Sequence, residues 1–130
     1  MELNPTKRVE AAREAAERAY APYSKFKVGA AIELNNGDII TGCNVENVSY
    51  GLSNCAERTA IYRAIAEGID LSNVKAITIY TPTEQLHSPC GACRQVMAEF
   101  FSADTQVSSA NRHDIKHWTV GSLLPESFSF

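Results

Sequence analysis

Hydrophobic residues follow two different periods along this chain, and these periods predict where strands and helices lie. Apolar side chains occupy every second position across residues 28–34, a spacing that is typical of a strand. Asn36 and Gly37 come next and indicate a tight hairpin turn, after which residues 38–43 form the return strand. Residues 74–81 are mostly apolar with several β-branched side chains, so we expect a buried strand there.

The first helix is predicted near the beginning of the sequence. Asn4 is expected to cap it, with Pro5 at the first helical position, where the missing N–H group of proline costs nothing. A run rich in alanine and glutamate continues to Ala21, and Pro22 is expected to end the helix.

Two more helices are predicted in the middle of the sequence. Residues 54–66 form one of them, and Gly68 suits the left-handed conformation just beyond its end. Ser88 and Pro89 open the other, which is expected to extend to about Phe101.

The last part of the sequence carries weaker signals. Residues 106–109 and 116–120 are strand candidates, and residues 121–125 suggest a short final turn of helix. Strands that alternate with helices are typical of a sheet covered by helices, which places the chain in the α/β class. Because no repeat, low-complexity stretch or linker divides the sequence, we expect a single domain over residues 1–130.

Composition and charge narrow the possible functions without naming one. The 130 residues are 45% hydrophobic and 21% charged, which is ordinary for a soluble domain. The net charge of −3 lacks the basic excess of a polynucleotide-binding protein. No apolar run reaches the roughly 20 residues of a membrane span, and no signal peptide is apparent. We therefore expect a cytoplasmic protein that binds neither membranes nor polynucleotides.

The four cysteines, Cys43, Cys55, Cys90 and Cys93, are the most informative residues of the sequence. Disulfides belong mainly to oxidising compartments, and nothing in the sequence indicates secretion. Taken alone, the C-x-x-C spacing of Cys90 and Cys93 is compatible with a redox dithiol or with a zinc site. The positions of the other two cysteines decide between these interpretations.

Three of the cysteines fall at the beginnings of predicted helices. Cys55 begins one helix, and Cys90 and Cys93 lie three apart in the first turn of the next, so they share a face. Both helices follow strands, so their N-termini can meet at one end of the sheet. Three protein ligands leave the fourth tetrahedral position of zinc open, as in catalytic sites. Cys43 is expected to be a small apolar core residue, since a fourth ligand would close the site.

Glu57 lies two residues after Cys55, close enough to face the open position. A carboxylate there can accept a proton from water and pass it on, and zinc deaminases combine three such ligands with a non-ligand glutamate. The alternative is a capping box in which Glu57 and Asn54 merely begin the helix. Because three thiolates around Zn²⁺ leave a net negative charge, we expect Arg58, or else Arg94, to hydrogen-bond a ligand sulfur.

Several separated motifs resemble those of the small, homotetrameric cytidine deaminases. Besides the cysteine motifs, the resemblance rests on an amino-terminal signature at residues 21–31 and a nucleoside-binding segment at residues 42–47. It continues at the carboxyl-terminal end with residues 123–125 and Phe128. The motifs occur in order and cover most of the sequence, whereas residues 102–120 match none of them.

The resemblance implies a fold, a cofactor and a reaction. The fold would be a three-layer αβα sandwich around a mixed five-stranded sheet. One zinc ion per chain would be held by Cys55, Cys90 and Cys93, with Glu57 as the proton shuttle. The reaction would be the hydrolysis of cytidine or deoxycytidine to uridine or deoxyuridine and ammonia, as in pyrimidine salvage.

The same resemblance implies that three side chains bind the nucleoside. Asn44 and Glu46 would hydrogen-bond the ribose hydroxyl groups, and Phe26 would pack on the pyrimidine ring. Asn44 and Glu46 are two apart on an extended segment, so their side chains point the same way. The alternatives are a turn contact for Asn44, a solvated charge for Glu46 and a core position for Phe26.

Further contacts follow from the resemblance. Backbone groups near Ala56 and Ser88 would hold the edge of the base. Tyr50 and Phe128 would complete active sites across the subunit boundaries of a homotetramer, unless they pack within their own subunit.

Other functions compete with this interpretation. A deaminase of the same fold could act on another aminopyrimidine, such as the nucleoside antibiotic blasticidin S. A structural zinc module would need four closed ligands, and a polynucleotide editor would need a basic surface. His87, His113 and His117 lack the spacing of metal ligands and are expected to be ordinary surface or loop residues.

Overall fold

A computed structural model of the protein describes residues 5–128. Its helices are α1 (Thr6–Ala16), α2 (Ala56–Ala66), α3 (Gly91–Phe100) and the short α4 (Val120–Leu123). Its strands are β1 (Gly29–Leu34), β2 (Ile39–Cys43), β3 (Val74–Tyr80), β4 (Gln106–Ala110) and β5 (Ile115–Thr119). Each of these elements lies where the sequence pattern predicts one. No helix in the described residues has the length and apolar character needed to cross a membrane.

The five strands form one mixed sheet in the order β2-β1-β3-β4-β5. β1 is antiparallel to both β2 and β3, β4 is antiparallel to β5, and β3 and β4 run parallel. The β1–β2 hairpin turns at Gly37, whose φ of +93° is a conformation that glycine adopts without strain. The parallel pair is connected through α3, so the loop that leaves β3 leads directly to the beginning of this helix.

Helices cover both faces of the sheet. On one face, α1 packs through Ala12 and Ala16 against Ala31 and Tyr80. On the other face, α2 and α3 share an apolar core with β1 and β3, formed by residues such as Ile32, Ala60, Ile61, Ile77 and Met97. Successive residues of a strand point to opposite faces, which is why β1 contributes to both cores. The expected three-layer αβα sandwich with a mixed five-stranded sheet is confirmed.

A close approach between α2 and β2 brings the beginning of α2 beside the segment that follows β2. A Cβ atom on Gly42 would lie 2.4 Å from the backbone nitrogen of Ala60, so only glycine permits this contact. Val45 and Asn54 then pair as an isolated antiparallel bridge. Asn54, which precedes Cys55, is thereby fixed next to the segment that contains the predicted sugar-binding residues Asn44 and Glu46.

The sequence pattern predicts that the first helix continues to Ala21. In the structure this helix ends at Ala16, so the predicted end is wrong. Beyond Ala16 the chain turns, and Tyr20 pairs with the segment after β2. The backbone nitrogen of Tyr20 donates to the carbonyl of Asn44 at 3.0 Å, and its carbonyl accepts from the nitrogen of Glu46 at 2.8 Å. These long-range hydrogen bonds outweigh the local helix preference of the alanine-rich run.

The first three helices also begin later than predicted. α1 begins just after Pro5, and the predicted cap Asn4 lies outside the described residues. α2 and α3 begin directly after Cys55 and Cys90, which occupy the N-cap positions in extended conformation. The two cysteines therefore stand at the helix ends themselves, where the first N–H groups have no partner within the helix, and the Cys90 sulfur accepts from the backbone nitrogen of Cys93 at 3.4 Å.

A buried ion pair on the α1 face is absent from the predictions. Arg8 is fully buried, and its Nη1 donates to the Glu33 carboxylate at 2.6 Å. Its Nε donates to Thr78 at 3.0 Å, and its Nη2 donates to Gln106 at 3.3 Å. The guanidinium group thus ties α1 to three neighbouring strands of the sheet.

Candidate active site

Three cysteine sulfurs meet where α2 and α3 begin. The Sγ atoms of Cys55, Cys90 and Cys93 all lie within 4.8 Å of one another, and those of Cys55 and Cys90 are 3.7 Å apart. Sulfurs at this spacing can share one tetrahedrally coordinated ion. Cys43 is not part of this group. It lies half-buried at the end of β2, so the prediction that it belongs to the core is wrong.

The surroundings of the cluster favour a thiolate at Cys55. Cys55 and Cys90 cap two helices, whose N-termini carry partial positive charge. Hydrogen bonding with Cys93, assisted by Arg58, lowers the pKa of the Cys55 thiol to about 5, although burial acts in the opposite direction. Because the thiolate is the form that binds metals, Cys55 is prepared for a cation, whereas its hydrogen bond with Cys93 raises the pKa of the Cys93 thiol.

Arg58 takes the position expected of a charge-compensating residue. Its Nη2 donates a hydrogen bond to the Cys55 sulfur at 3.2 Å. Its Nε is buried and has no hydrogen-bond partner among the described residues. Arg94, the other candidate, instead donates to the carbonyl oxygens of Pro89 at 2.8 Å and Leu123 at 3.1 Å. Arg94 therefore connects the loop that precedes α3 with α4, and the hydrogen bond to a cluster sulfur comes from Arg58.

Glu57 lies in the first turn of α2 and is only 4% exposed. Burial raises the pKa of its carboxyl group, and the charge of Cys55 adds to this effect. The capping-box alternative does not hold, since Cys55 occupies the N-cap position without a side-chain cap. The amide of Asn54 instead donates to the Thr59 hydroxyl at 3.3 Å. Glu57 is thus a buried acid beside the sulfurs.

The cluster opens into a cavity of about 470 Å³. Cys55, Cys90, Glu57 and Arg58 line one part of its wall. All of the predicted substrate-binding residues except Phe128 also line this cavity, namely Phe26, Asn44, Glu46, Tyr50 and Ala56. The sequence motifs, which are far apart along the chain, therefore surround one space large enough for a small molecule.

Asn44 and Glu46 line the cavity and also hold the loop that carries Phe26. The Asn44 amide accepts from the backbone nitrogen of Val28 and donates to the carbonyl of Phe26, both at 2.8 Å. Glu46 accepts from the backbone nitrogens of Tyr23 at 3.0 Å and Ser24 at 3.1 Å. Asn44 therefore does more than stabilise a turn, and Glu46 is not simply a solvated charge, because both side chains hold one wall of the cavity in place.

The two predicted inter-subunit aromatics differ in position. Tyr50 lines the mouth of the cavity and is 79% exposed. Phe128 is 72% exposed and does not line the cavity of its own chain, and its carbonyl accepts from Gln95 at 3.2 Å. Neither side chain belongs to the core of the described chain.

Among the cavity residues that the sequence patterns miss, which also include Ser53, Ile79 and Thr81, His87 makes an aromatic contact. Its ring meets the Phe26 ring edge-on, with centroids 5.4 Å apart and planes at 70°. It lines the cavity beside Ser88 and Pro89, although a lone histidine in a loop carries no recognisable signal. Its position directly before the Pro89 motif is the only hint that the sequence offers.

Comparisons with known proteins agree with this geometry. The family described as "Cytidine and deoxycytidylate deaminase zinc-binding region" matches residues 4–123. The chain belongs to this deaminase family. A cytidine deaminase of Halalkalibacterium halodurans is 50% identical over 93% of this chain and 91% of that protein. A cytidine deaminase of Sporosarcina psychrophila is 47% identical over 98% of this chain and 93% of that protein.

Solved structures lead to the same conclusion. The crystal structure of cytidine deaminase from Burkholderia pseudomallei superimposes with a TM-score of 0.92 at 47% identity, covering 97% of this chain and all of that one. The chain described here is therefore an enzyme of the deaminase family with the expected α/β fold. The three clustered thiols of this chain, one of which accepts a hydrogen bond from Arg58, fit a zinc ion.

Proposed function

We propose that the enzyme hydrolyses cytidine and deoxycytidine to uridine and deoxyuridine with release of ammonia, and that it serves pyrimidine salvage. The observation that carries this proposal is a single cavity beside the three-cysteine cluster, whose wall includes the buried Glu57 and the polar side chains of Asn44 and Glu46. The cluster with Glu57 would activate water at the base, and the polar pair would bind the sugar, so the cavity suits a nucleoside.

Cys55, Cys90 and Cys93 would hold the zinc ion, and Arg58 would offset the charge of the thiolates. A zinc ion in such a site supplies Lewis acidity, which makes water acidic enough to react near neutral pH. Three ligands from the chain leave room for that chemistry, whereas a fourth would close the site. Cys43 lies outside the cluster, which supports an open site over a structural zinc module.

Glu57 would move the protons of the reaction. It accepts a proton from water as the water oxygen bonds to C4 of the base, and it delivers that proton to N3. It then removes the proton of the new C4 hydroxyl group and transfers it to the exocyclic amino nitrogen; the bond between C4 and that nitrogen breaks as the C4=O bond forms, and ammonia leaves. The buried position of Glu57 in the cavity wall supports this assignment, because general acid–base catalysis requires contact with each partner.

The nucleoside would lie across the cavity from its sugar end to its base end. Asn44 and Glu46 would bind the ribose hydroxyl groups, Phe26 would pack on the pyrimidine, and backbone groups near Ala56 and Ser88 would hold the edge of the base. All five residues line the cavity, which supports the assignment.

We further propose a homotetramer in which Tyr50 and Phe128 complete the active sites of neighbouring subunits. Their exposed fractions of 79% and 72% support contacts outside the chain itself. The net charge of −3 favours a small nucleoside over a polynucleotide. The cytoplasm is the expected location, because reducing conditions keep the cluster thiols available.

The direct test is turnover of cytidine by the zinc-loaded protein, followed by the change in ultraviolet absorbance as uridine forms. We expect turnover that a chelator abolishes and added zinc restores. Blasticidin S, offered in parallel, tests the alternative substrate class. No turnover of cytidine by fully zinc-loaded protein would contradict the proposal.

A further inference from the structure

The hydroxyl group of Ser24 contacts two residues of the cavity wall, Glu46 and Phe26. The Ser24 Oγ donates to the Glu46 carboxylate and accepts a hydrogen bond from the backbone nitrogen of Phe26 at 3.0 Å. Glu46 is the proposed sugar contact, and Phe26 is the proposed base contact. Ser24 lies within the amino-terminal signature at residues 21–31, but neither the resemblance nor the proposed reaction gives its side chain a role.

Glu46 is held in a cradle of three donors from the same loop. Its Oε1 accepts from the backbone nitrogens of Tyr23 and Ser24 at 3.0 and 3.1 Å, and its Oε2 accepts from the Ser24 hydroxyl. The Ser24 hydroxyl is also the main reason that the pKa of Glu46 lies below its usual value. A carboxylate offers about four acceptor positions, so these contacts leave one for a substrate hydroxyl.

Phe26 is fixed at both of its backbone groups. Its N–H group donates to Ser24, and its carbonyl oxygen accepts from the Asn44 amide at 2.8 Å. Between Ser24 and Phe26, Lys25 adopts a φ of +61°, the left-handed conformation that non-glycine residues seldom take. The turn at Lys25 brings the Ser24 hydroxyl onto the Phe26 nitrogen, and the two hydrogen bonds keep the turn in place.

We propose that Ser24 is a positioning residue that orients the Glu46 carboxylate and the Phe26 ring together, so that recognition of the sugar and of the base are coupled through one hydroxyl group. The inference rests on the proposed function, in which Glu46 and Phe26 contact the nucleoside. Ser24 would therefore act on substrate binding and leave the proton transfers by Glu57 unchanged.

The test compares Ser24→Ala with a matched control, Ser72→Ala. Ser72 makes the same kind of contact elsewhere, since its hydroxyl and its N–H group both donate to Asp70, at 2.7 and 3.0 Å. Ser24→Ala is expected to raise the KM for cytidine about tenfold with kcat within about twofold, the size expected for a hydrogen bond to a charged group. Ser72→Ala should behave as wild type, and Ser24→Thr should restore the KM because it keeps the hydroxyl group.

A second measurement does not depend on turnover. Amide hydrogen exchange at Phe26 should accelerate in Ser24→Ala and remain slow in Ser24→Thr, since only the alanine variant removes the acceptor. In a Glu46→Gln background, Ser24→Ala should raise the KM by much less than tenfold, which would demonstrate coupling.

The outcomes separate this inference from the proposed function. Failure of wild-type and Ser72→Ala protein to convert cytidine would count against the function itself. If both convert cytidine and Ser24→Ala has an unchanged KM and unchanged Phe26 exchange, the positioning role of Ser24 is wrong.

Discussion

The guanidinium group of Arg58 hydrogen-bonds the sulfur of Cys55 at 3.2 Å. The two residues lie three apart, across the first turn of α2, so the helix itself fixes their distance. The contact explains how a cluster of three sulfurs can hold a dication without an uncompensated negative charge. We therefore expect Arg58 to influence metal affinity although it is not a ligand.

Arg58→Ala is therefore expected to weaken zinc binding by about 10- to 100-fold, because removal of a group that hydrogen-bonds a ligand has effects of this size. Competition with graded chelator concentrations measures the affinity. Arg63→Ala is the matched control, since Arg63 lies on the same helix, is exposed and pairs with Glu67. Equal zinc affinity in Arg58→Ala and wild type would contradict the role of Arg58.

Cys90→Ala is expected to lose zinc, because two remaining sulfurs cannot hold the ion tightly at an otherwise open site. Metal analysis of the purified variant gives the zinc content per chain. Cys43→Ala serves as the control and should keep one zinc per chain, since Cys43 lies outside the cluster. A full zinc complement in Cys90→Ala would remove it from the ligand set.

Free cytosine is expected to be a poor substrate, with a kcat/KM at least about 100-fold below that of cytidine, because binding energy from the sugar supports catalysis at the base. Steady-state rates on the two compounds measure the difference. Glu46→Ala should reduce the difference in kcat/KM between the two compounds, because it lowers the kcat/KM for cytidine. Similar kcat/KM values for cytosine and cytidine in the wild type would argue against sugar recognition at Asn44 and Glu46.

Arg8→Ala is expected to lower the free energy of unfolding by about 3–5 kcal/mol, because it leaves the nearly buried Glu33 without its main partner. Denaturant unfolding measures the change. Arg13→Ala removes an exposed ion pair with Glu10 from the same helix and should cost less than about 1 kcal/mol. A similar small loss in both variants would mean that the buried network contributes little.

The sequence predicts the elements of this fold well because each carries a local signal. The alternation in β1, the turn at Gly37 and the apolar run of β3 all recur where expected. The three-cysteine site is equally predictable, since Cys55 and the Cys90 pair fall at helix starts. These features depend on the spacing of residues along the chain, which can be read directly from the sequence.

The features that sequence reasoning misses depend on contacts between distant segments. α1 ends early because Tyr20 pairs with the segment after β2, and no nearby residue signals this pairing. The buried Arg8 resembles any helix-surface arginine until Glu33 is placed beside it. His87 likewise meets Phe26, and Ser24 meets Glu46, only when segments that are distant in the sequence fold together.

The buried carboxyl group of Glu57, beside three clustered sulfurs, is the centre of this account, and Glu57→Gln tests it most directly. The variant keeps the shape of the side chain but cannot accept and donate the protons. Its zinc content and its kcat for cytidine should be measured on the same preparation. The account predicts one zinc per chain and a kcat about 10²- to 10⁴-fold lower than that of wild type, the range for loss of general acid–base catalysis. Full zinc occupancy with a kcat close to that of wild type would contradict it.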